Sequence, residues 1–328
     1  MKNNIIEAKN LSKEYVVAKR GDTLKATVKN IFKPDKEIVK AVSSLNFHVR
    51  EGETVGFIGQ NGAGKTTTIK MLTGTLFPSS GSCSVNGFDP TKRQDSFKKS
   101  ISVVMGNRSQ LFPDLTPRDY LNLLKSMYGI ENERFNQTVH ELAKILNVEA
   151  KLDTQTRKLS LGERMKVEFL AGVSTNPKVL FLDEPTIGLD VLAKRDIRKF
   201  LQKINKKDNL TIFLTSHDME DIAAVCDRLI IVNKGKVMWD GKKEELFNKF
   251  ADYKYISFLK SETFKASKVL AKIIDEDDLS ITVKVKANEI DQIISELARE
   301  GQGSNYQISD LKLDDIILEL FEEEKNND

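Results

Sequence analysis

The chain has 328 residues and a net charge of +3, with 40% hydrophobic and 30% charged residues, which is typical of a globular protein and excludes a fibrous or largely disordered one. Its length favours two domains. Two cysteines and three histidines show neither disulfide nor zinc spacing, and no apolar run is long enough to span a membrane. We therefore expect a protein of the reducing cytosol.

The charge is distributed unevenly along the chain. Residues 1–250 carry a net charge of +11, whereas residues 251–328 carry a net charge of −8. This change indicates a boundary between a larger domain, residues 1–248, and a small accessory domain, residues 249–328. A basic domain suits nucleic acid or a membrane surface, so charge alone does not identify the partner.

The first predicted elements are strands that flank a basic segment. Residues 5–15 and 41–49 have strand-like patterns, and residues 54–58 are a short apolar run typical of a buried strand. Residues 16–40 contain seven Lys or Arg and three acidic residues. We predict a surface insertion there, either a solvated hairpin or loop or a contact with a partner or lipid headgroups.

A phosphate-binding loop follows the third strand. Residues 59–66 fit G-x-x-x-x-G-K-[ST] between a predicted strand and a predicted helix, which is the setting this motif requires. Its glycines let backbone N–H groups point at one anion, which the helix N-terminus also favours. Lys65 is expected to reach the β- and γ-phosphates and Thr66 to ligate Mg²⁺, the alternative being a glycine-rich turn with a chance lysine. The predicted nucleotide-binding residues are Gly59, Gln60, Asn61, Gly62, Ala63, Gly64, Lys65, Thr66 and Thr67.

The rest of the larger domain predicts alternating helices and strands. Residues 116–148 have helical spacing, while residues 179–182 and 229–232 are continuous apolar runs typical of strands covered on both faces. This alternation predicts an α/β fold with a largely parallel sheet and helices on both sides. The sequence after residue 241 predicts a small α/β appendage, with strands at 254–258, 279–285 and 305–308 and helices at 289–299 and 313–322.

Two carboxylates follow the strand predicted at residues 179–182. Ligands of open α/β sheets bind at the carboxyl edge of the strands, so we expect Asp183 and Glu184 to lie beside the phosphate loop. Asp183 then suits Mg²⁺, and Glu184 suits orientation or deprotonation of the water that attacks the γ-phosphate. The alternative is a turn that contains two adjacent acids.

These motifs, with others in the same order, resemble the nucleotide-binding subunit of ATP-binding cassette (ABC) transporters over residues 5–245. Tyr15 stands where that family stacks adenine, although it could instead be a strand-end aromatic of the core. Residues 159–163, Leu-Ser-Leu-Gly-Glu, resemble the signature LSGGQ, with Leu161 in place of a glycine and Glu163 in place of the glutamine.

The resemblance assigns roles to the remaining motifs. Ser160, Gly162 and Glu163 are expected to contact a nucleotide, the alternative being a plain helix cap. Asp190 ends the family's aspartate loop. His217 is the expected switch histidine near the γ-phosphate, or else a structural histidine. The expected catalytic residues are Glu184, His217 and Lys65, and the expected metal-binding residues are Thr66, Asp183 and Asn107.

The glutamine loop is the one motif without a plain counterpart. Residues 101–107 end in Asn107, where the family usually has glutamine, and Gln110 lies three residues further on. We take Asn107 as the positional match, although its side chain is one methylene shorter and would reach Mg²⁺ and the attacking water less easily. Gln110 stays open as the alternative.

The resemblance also implies architecture and partners. It implies a P-loop NTPase fold of the ABC ATPase type, with a central mostly parallel sheet, an antiparallel β subdomain, a helical subdomain at about residues 100–175 and the C-terminal appendage. ATP and Mg²⁺ are the implied ligands. The implied partners are a second ATPase subunit, identical or paralogous, in a head-to-tail dimer, and a separate membrane permease, with no nucleic acid. The chain is then cytoplasmic and peripheral on the inner face of the membrane.

The signature, residues 185–190, the basic insertion and the appendage together resemble a bacterial type-two exporter subset, with a multidrug, lipid or peptide cargo. Two alternatives stay open: an ABC ATPase that acts on ribosomes or DNA without a permease, and a subunit that binds ATP without cleaving it. One phosphate loop, one signature and no long insertion between Lys65 and Ser160 argue against the first. The complete set of predicted catalytic residues argues against the second.

Overall fold

The computed structural model describes residues 3–18, 36–259, 272–299 and 306–327. The chain divides into two compact units, residues 1–241 and 242–328. This division precedes the predicted boundary at residue 248, because the helix Lys243–Lys249 contacts the C-terminal helix, with Lys249 Nζ 3.0 Å from Glu323 Oε2. The change in charge near residue 250 lies after this helix, so composition alone placed the boundary late.

The first unit contains nine described strands and seven described α-helices. The strands are β1 (Asn4–Ala18), β2 (Lys36–Arg50), β3 (Thr54–Gly59), β4 (Ser80–Val85), β5 (Ile101–Met105), β6 (Val179–Asp183), β7 (Thr211–Thr215), β8 (Arg228–Asn233) and β9 (Lys236–Lys242). The α-helices are α1 (Lys65–Leu72), α2 (Asp95–Ser100), α3 (Pro117–Tyr128), α4 (Asn132–Leu146), α5 (Leu161–Ser174), α6 (Val191–Asp208) and α7 (Met219–Val225). Three short 3₁₀ helices cover Pro90–Lys92, Glu149–Lys151 and Thr156–Lys158.

The central sheet has six strands in the order β5-β6-β7-β3-β8-β9. The ladders β5–β6, β6–β7, β7–β3 and β3–β8 are parallel, as the apolar runs predicted. Every residue of β3, β6 and β7 is buried, since strands covered on both faces expose neither side. Asp183 at the end of β6 is level with Thr215 at the end of β7, which brings their side chains to one edge of the sheet.

A second, antiparallel sheet has the order β2-β1-β4. Both long strands run further than predicted, and the two ends of the predicted insertion 16–40 belong to them, with Val16 opposite Ile38. Residues 19–35 of that insertion lie outside the described residues. Phe47 of β2 lies 5.7 Å, centroid to centroid, from Phe57 of β3, so this sheet packs on the central one. Such aromatic pairs add about 0.5–1.5 kcal/mol beyond their area burial.

The predicted helical segment at 116–148 is two helices. Gly129 takes a positive φ of 66° and ends α3, and the carboxylate of Glu131 caps α4 through the N–H groups of Glu133 and Arg134. The predicted helical subdomain at about 100–175 also begins too early. Its first residues form β5, which is a strand of the central sheet.

The second unit contains the helices α8 (Lys243–Lys249), α9 (Ile290–Arg299) and α10 (Leu313–Asn327) and the strands β10 (Tyr253–Leu259), β11 (Lys272–Glu276), β12 (Ser280–Lys286) and β13 (Tyr306–Asp310), with a 3₁₀ turn at Ala287–Glu289. Its sheet is antiparallel, in the order β11-β12-β10-β13. The core includes Ile256, Phe258, Ile281, Val283 and Ile293. The sequence did not predict β11. Among the described residues of both units, no helix has the length and apolar character needed to cross a bilayer.

Candidate functional site

The phosphate-binding loop joins β3 directly to α1, as predicted. Gly64 stands at the N-terminus of α1 with a φ of 95°, and a Cβ there would lie 2.4 Å from the carbonyl oxygen of Ala41. A Cβ on Gly59 would lie 2.4 Å from the carbonyl oxygen of Val232. Both positions therefore require glycine, because neighbouring strands leave no room for a side chain. Residues 60–62 are exposed at the tip, where helix N–H groups favour an anion.

Lys65 is buried beneath this loop. Its ammonium donates a hydrogen bond of 2.6 Å to the carbonyl oxygen of Gly59 and one of 3.3 Å to that of Gln60. Burial lowers the pKa of Lys65, while the nearby carboxylates of Glu184 and Asp183 act to raise it. The loop backbone thus holds a cation where a bound phosphate would meet it.

Asp183 connects the loop to the end of the central sheet. It is 5% exposed, and its Oδ1 accepts hydrogen bonds from Thr66 Oγ1 at 3.2 Å and from Thr215 Oγ1 at 2.8 Å. A hydroxyl and a carboxylate that meet beside a phosphate-binding loop are the oxygen donors that Mg²⁺ prefers. These residues therefore fit the metal that the sequence predicted for Thr66 and Asp183.

Glu184 and His217 contact each other at the same edge. Glu184 Oε2 accepts a 2.9 Å hydrogen bond from the backbone N–H of His217, and Oε1 lies 3.3 Å from His217 Nε2. Oε1 is buried and accepts no hydrogen bond from the described residues, the 3.3 Å contact with His217 Nε2 being a close approach only. Glu184 has a φ of 52°, in the left-handed region that a residue with a side chain rarely adopts. The backbone N–H of Glu184 donates to the carbonyl of Thr215 at 3.0 Å, which ties this strained residue to β7.

Two residues that the sequence did not assign also shape this edge. Thr215 lies two residues before His217, and its hydroxyl donates to Asp183. Gly106 precedes Asn107, and its N–H donates to the carbonyl of Asp183 at 3.0 Å. A Cβ on Gly106 would lie 1.8 Å from the carbonyl oxygen of Glu184, so only glycine fits there. The sequence signal for Gly106 was a glycine directly before Asn107, the polar residue of the predicted glutamine loop.

The signature residues form a helix cap. Ser160 precedes α5, and its hydroxyl accepts a 3.2 Å hydrogen bond from the N–H of Glu163. The carboxylate of Glu163 accepts a 2.9 Å bond from the N–H of Ser160 and lies 2.9 Å from Lys151 Nζ. The bond from Ser160 and the ion pair with Lys151 together lower the pKa of Glu163. A capping box is thus built into this motif.

The aspartate loop lies against the signature. Asp190 caps α6 through a 2.8 Å bond from the N–H of Ala193. A Cβ on Gly162 would come within 3.0 Å of Ala193 Cβ, and one on Gly188 within 3.3 Å of a methyl of Leu161. Ser160, Gly162 and Asp190 therefore gather in one place. Within the described part of the chain, no hydrogen bond joins them to residues 59–66.

The predictions for Asn107, Gln110 and Tyr15 have different outcomes. Asn107 is exposed beside Gly106, and its contact with metal or water stays a prediction. The amide of Gln110 donates a 2.7 Å bond to the carbonyl of Val103, so the structure engages it with β5 rather than with Asp183. Tyr15 is 38% exposed, with Lys13 Nζ 5.6 Å from the ring centroid, so it is not a core aromatic. Its stacking with adenine stays a prediction.

Comparison with known proteins gives consistent matches. The family described as "ABC transporter" matches residues 42–187. The ABC transporter ATP-binding protein NatA of Bacillus subtilis is 33% identical over 216 residues, 66% of this chain and 87% of NatA. The bacitracin transport ATP-binding protein BcrA of Bacillus licheniformis is 29% identical over 80% of this chain and 83% of BcrA. The solved structure of cbiO1 from Clostridium perfringens, part of the ABC transporter complex cbiONQ, is 25% identical, with a TM-score of 0.59 over 76% of this chain and 92% of cbiO1.

Proposed function

Because the chain belongs to the ABC transporter family and is an ATPase of its ATP-binding type, we propose that it drives export through a separate membrane permease. It works as a pair of ATPase subunits, identical or paralogous, on the inner face of the membrane. The observation that carries this proposal is one edge of the central sheet, where Lys65, Thr66, Asp183, Glu184 and His217 meet. The relatives NatA and BcrA are described as transporter ATP-binding proteins, and cbiO1 as part of a transporter complex.

The loop binds the substrate's phosphates. Its exposed N–H groups and the ammonium of Lys65 neutralise the anionic oxygens, and Lys65 exchanges the carbonyls of Gly59 and Gln60 for the β- and γ-phosphates. Thr66 and Asp183 would hold Mg²⁺, which supplies further neutralisation of phosphate charge when bound. Asn107 is a further proposed contact to metal or water.

Glu184 acts as the base for hydrolysis. Its carboxylate accepts the proton of the water whose oxygen attacks the γ-phosphorus, while the bond from that phosphorus to the bridging oxygen of ADP breaks. The products are ADP and inorganic phosphate. His217 lies 3.3 Å from Glu184 Oε1 and orients the carboxylate and the γ-phosphate.

A second subunit completes each site. The polar groups of Ser160, Gly162 and Asp190 lie at helix starts rather than beside their own loop, which supports their use by the partner's nucleotide. Two such surfaces related by a two-fold axis make a head-to-tail dimer with two bound ATP molecules. Loss of the γ-phosphate removes the bridge and lets the dimer open.

Affinity purification from detergent-solubilised membranes tests the transport proposal. The tagged chain is expected to recover a multi-span membrane protein in near-stoichiometric amount, and reconstituting the pair in vesicles should stimulate ATP hydrolysis. The same purification from the soluble fraction serves as the control. Recovery of ribosomal or DNA-associated proteins alone would favour the permease-free alternative and contradict this proposal.

A further inference from the structure

The buried carboxylate of Asp221 accepts hydrogen bonds from three segments close to the Glu184–His217 contact. Asp221 of α7 is 2% exposed. Its Oδ2 accepts a short hydrogen bond from Thr186 Oγ1 and a 3.4 Å bond from Ser216 Oγ, while Oδ1 accepts a 2.5 Å bond from Arg198 Nε. These partners belong to the segment after Glu184, the segment before His217, and α6.

Asp221 ties the segment after Glu184 to the segment before His217, in addition to the bond from the Glu184 N–H to the carbonyl of Thr215. Thr186 lies in the turn closed by a 3.3 Å bond from the N–H of Ile187 to the carbonyl of Glu184. Ser216 directly precedes His217, whose N–H donates to the Glu184 carboxylate at 2.9 Å. The Asp221 carboxylate therefore bonds both to the turn that follows Glu184 and to the residue that precedes His217.

Arg198 does not depend on Asp221 alone. Its guanidinium also lies 3.1 Å from Glu220 Oε2 and 3.4 Å from both carboxylate oxygens of Asp218. Lys194 Nζ contacts Asp218 Oδ2 at 2.6 Å. Helices α6 and α7 thus remain joined when Asp221 is neutralised, whereas the short bond to Thr186 and the bond to Ser216 both end on Asp221.

We propose that Asp221 is a positioning residue for ATP hydrolysis, one that fixes the separation of Glu184 and His217 without contacting the nucleotide. The inference rests on the proposed roles of those two residues. Buried, fully bonded carboxylates rigidify the groups they hold. A displacement of about 1 Å at reacting groups can cost up to about 100-fold in rate.

Asp221→Asn and Thr186→Val test the inference. Each is expected to lower kcat by about 10- to 100-fold, while KM and the affinity for ATP change by less than about twofold, because the phosphate loop is untouched. In a His217→Ala background, Asp221→Asn should cause a clearly smaller further loss, since one of the two groups it positions is gone. Equal losses in both backgrounds, or an unchanged kcat, would overturn the inference.

Controls separate positioning from a general loss of stability. Asp240→Asn breaks another Arg–carboxylate pair, between β8 and β9, where Arg228 contacts Asp240 at 2.8 and 2.9 Å, and should leave kcat unchanged. Thr186→Ser keeps the hydroxyl and should retain the wild-type kcat. If Asp221→Asn does not fold, Thr186→Val decides alone. If Glu184→Gln and His217→Ala themselves retain full hydrolysis, the proposed function fails rather than this inference alone.

Discussion

Two regions of the first unit hold their polar groups in different ways. One is the carboxyl edge of the central sheet, with Lys65, Asp183 and Glu184. The other is the signature end, with Ser160 and Asp190 at the starts of two helices. At the edge, groups from separate elements bond to each other: the Thr66 hydroxyl to the Asp183 carboxylate, and the backbone N–H of His217 to the Glu184 carboxylate. At the signature end, Ser160 and Asp190 each bond to the first turn of the helix that they cap. The first region carries the proposed reacting groups as one cluster, whereas the second presents ordered groups on a surface.

The residue types of a motif and the site that they serve are therefore separate questions. In the proposed mechanism, the edge binds phosphate and deprotonates water with groups from one chain. The signature end has fixed geometry but, in the described part of the chain, no hydrogen bond to the phosphate loop. The proposed dimer accounts for the difference, since the signature end of each subunit would contact the nucleotide bound at the phosphate loop of the other.

The largest expected effect comes from Glu184→Gln. Removing a general base typically costs about 10²–10⁴-fold in rate, and we expect that loss in steady-state ATP hydrolysis. Binding should persist because Lys65 and the loop are unchanged, so size-exclusion chromatography with ATP and Mg²⁺ should show a trapped dimer. Glu141→Gln, at an exposed carboxylate paired with Lys207, is the control. A monomer peak unaltered by ATP would argue against the shared site.

Mixing two inactive variants tests whether each site spans two chains. Lys65→Ala disables the loop, and Ser160→Phe blocks the signature surface, where Ser160 is exposed. Each alone should lack activity. An equal mixture should recover about a quarter of the wild-type rate, since about half of random dimers are mixed and each has one intact site. No recovery, with mixed dimers verified by two affinity tags, would place the signature's role elsewhere.

The sequence predicted the edge well because its motifs encode local geometry. Residues 59–66 and the strand end at Asp183 each specify a turn at the carboxyl edge of a buried strand, and parallel strands bring such ends together. It could not predict the positive φ of Glu184 or the closeness of Gly106 to the carbonyl of Glu184, because both result from contacts between segments distant in sequence. Asp221 was missed for the same reason.

The boundaries of elements were less predictable than their types. The split between α3 and α4 depends on Gly129, which is tolerated inside many helical patterns but ends the helix here at a φ of 66°. Strands β1 and β2 extend into the predicted insertion because cross-strand pairs such as Val16 and Ile38 continue the ladder. The division at residue 241 depends on where α8 packs, which composition does not encode.

A smaller effect concerns pH at the edge. Burial lowers the pKa of Lys65 below the ordinary 10.5, so its ammonium is lost at a lower pH than that of an exposed lysine. We expect ATP affinity to fall as pH rises through this lowered pKa, by up to about tenfold per pH unit above it. Lys65→Arg keeps its charge and should not show that fall. Fluorescent-nucleotide titration from neutral to alkaline pH measures it, and parallel profiles for the two proteins would exclude Lys65 as the cause.

The smallest effects separate stability from ligand binding. Ser160→Ala removes the cap of α5 and should cost about 0.5–2 kcal/mol in the free energy of unfolding, measured with urea, with little change in the isolated chain's affinity for ATP. Glu163→Gln keeps an oxygen for the N–H of Ser160 and loses a partly exposed ion pair with Lys151, which costs about 0–1 kcal/mol.

Thr66→Val should show the reverse pattern at the edge of the sheet. Asp183 keeps its 2.8 Å bond from Thr215, so the free energy of unfolding should change little, whereas Mg²⁺-dependent ATP binding should weaken clearly. If Ser160→Ala lowered the isolated chain's affinity for ATP as much as Thr66→Val did, the signature would act on its own chain's nucleotide. The contrast between the two regions would then have to be abandoned in favour of a site complete within one subunit.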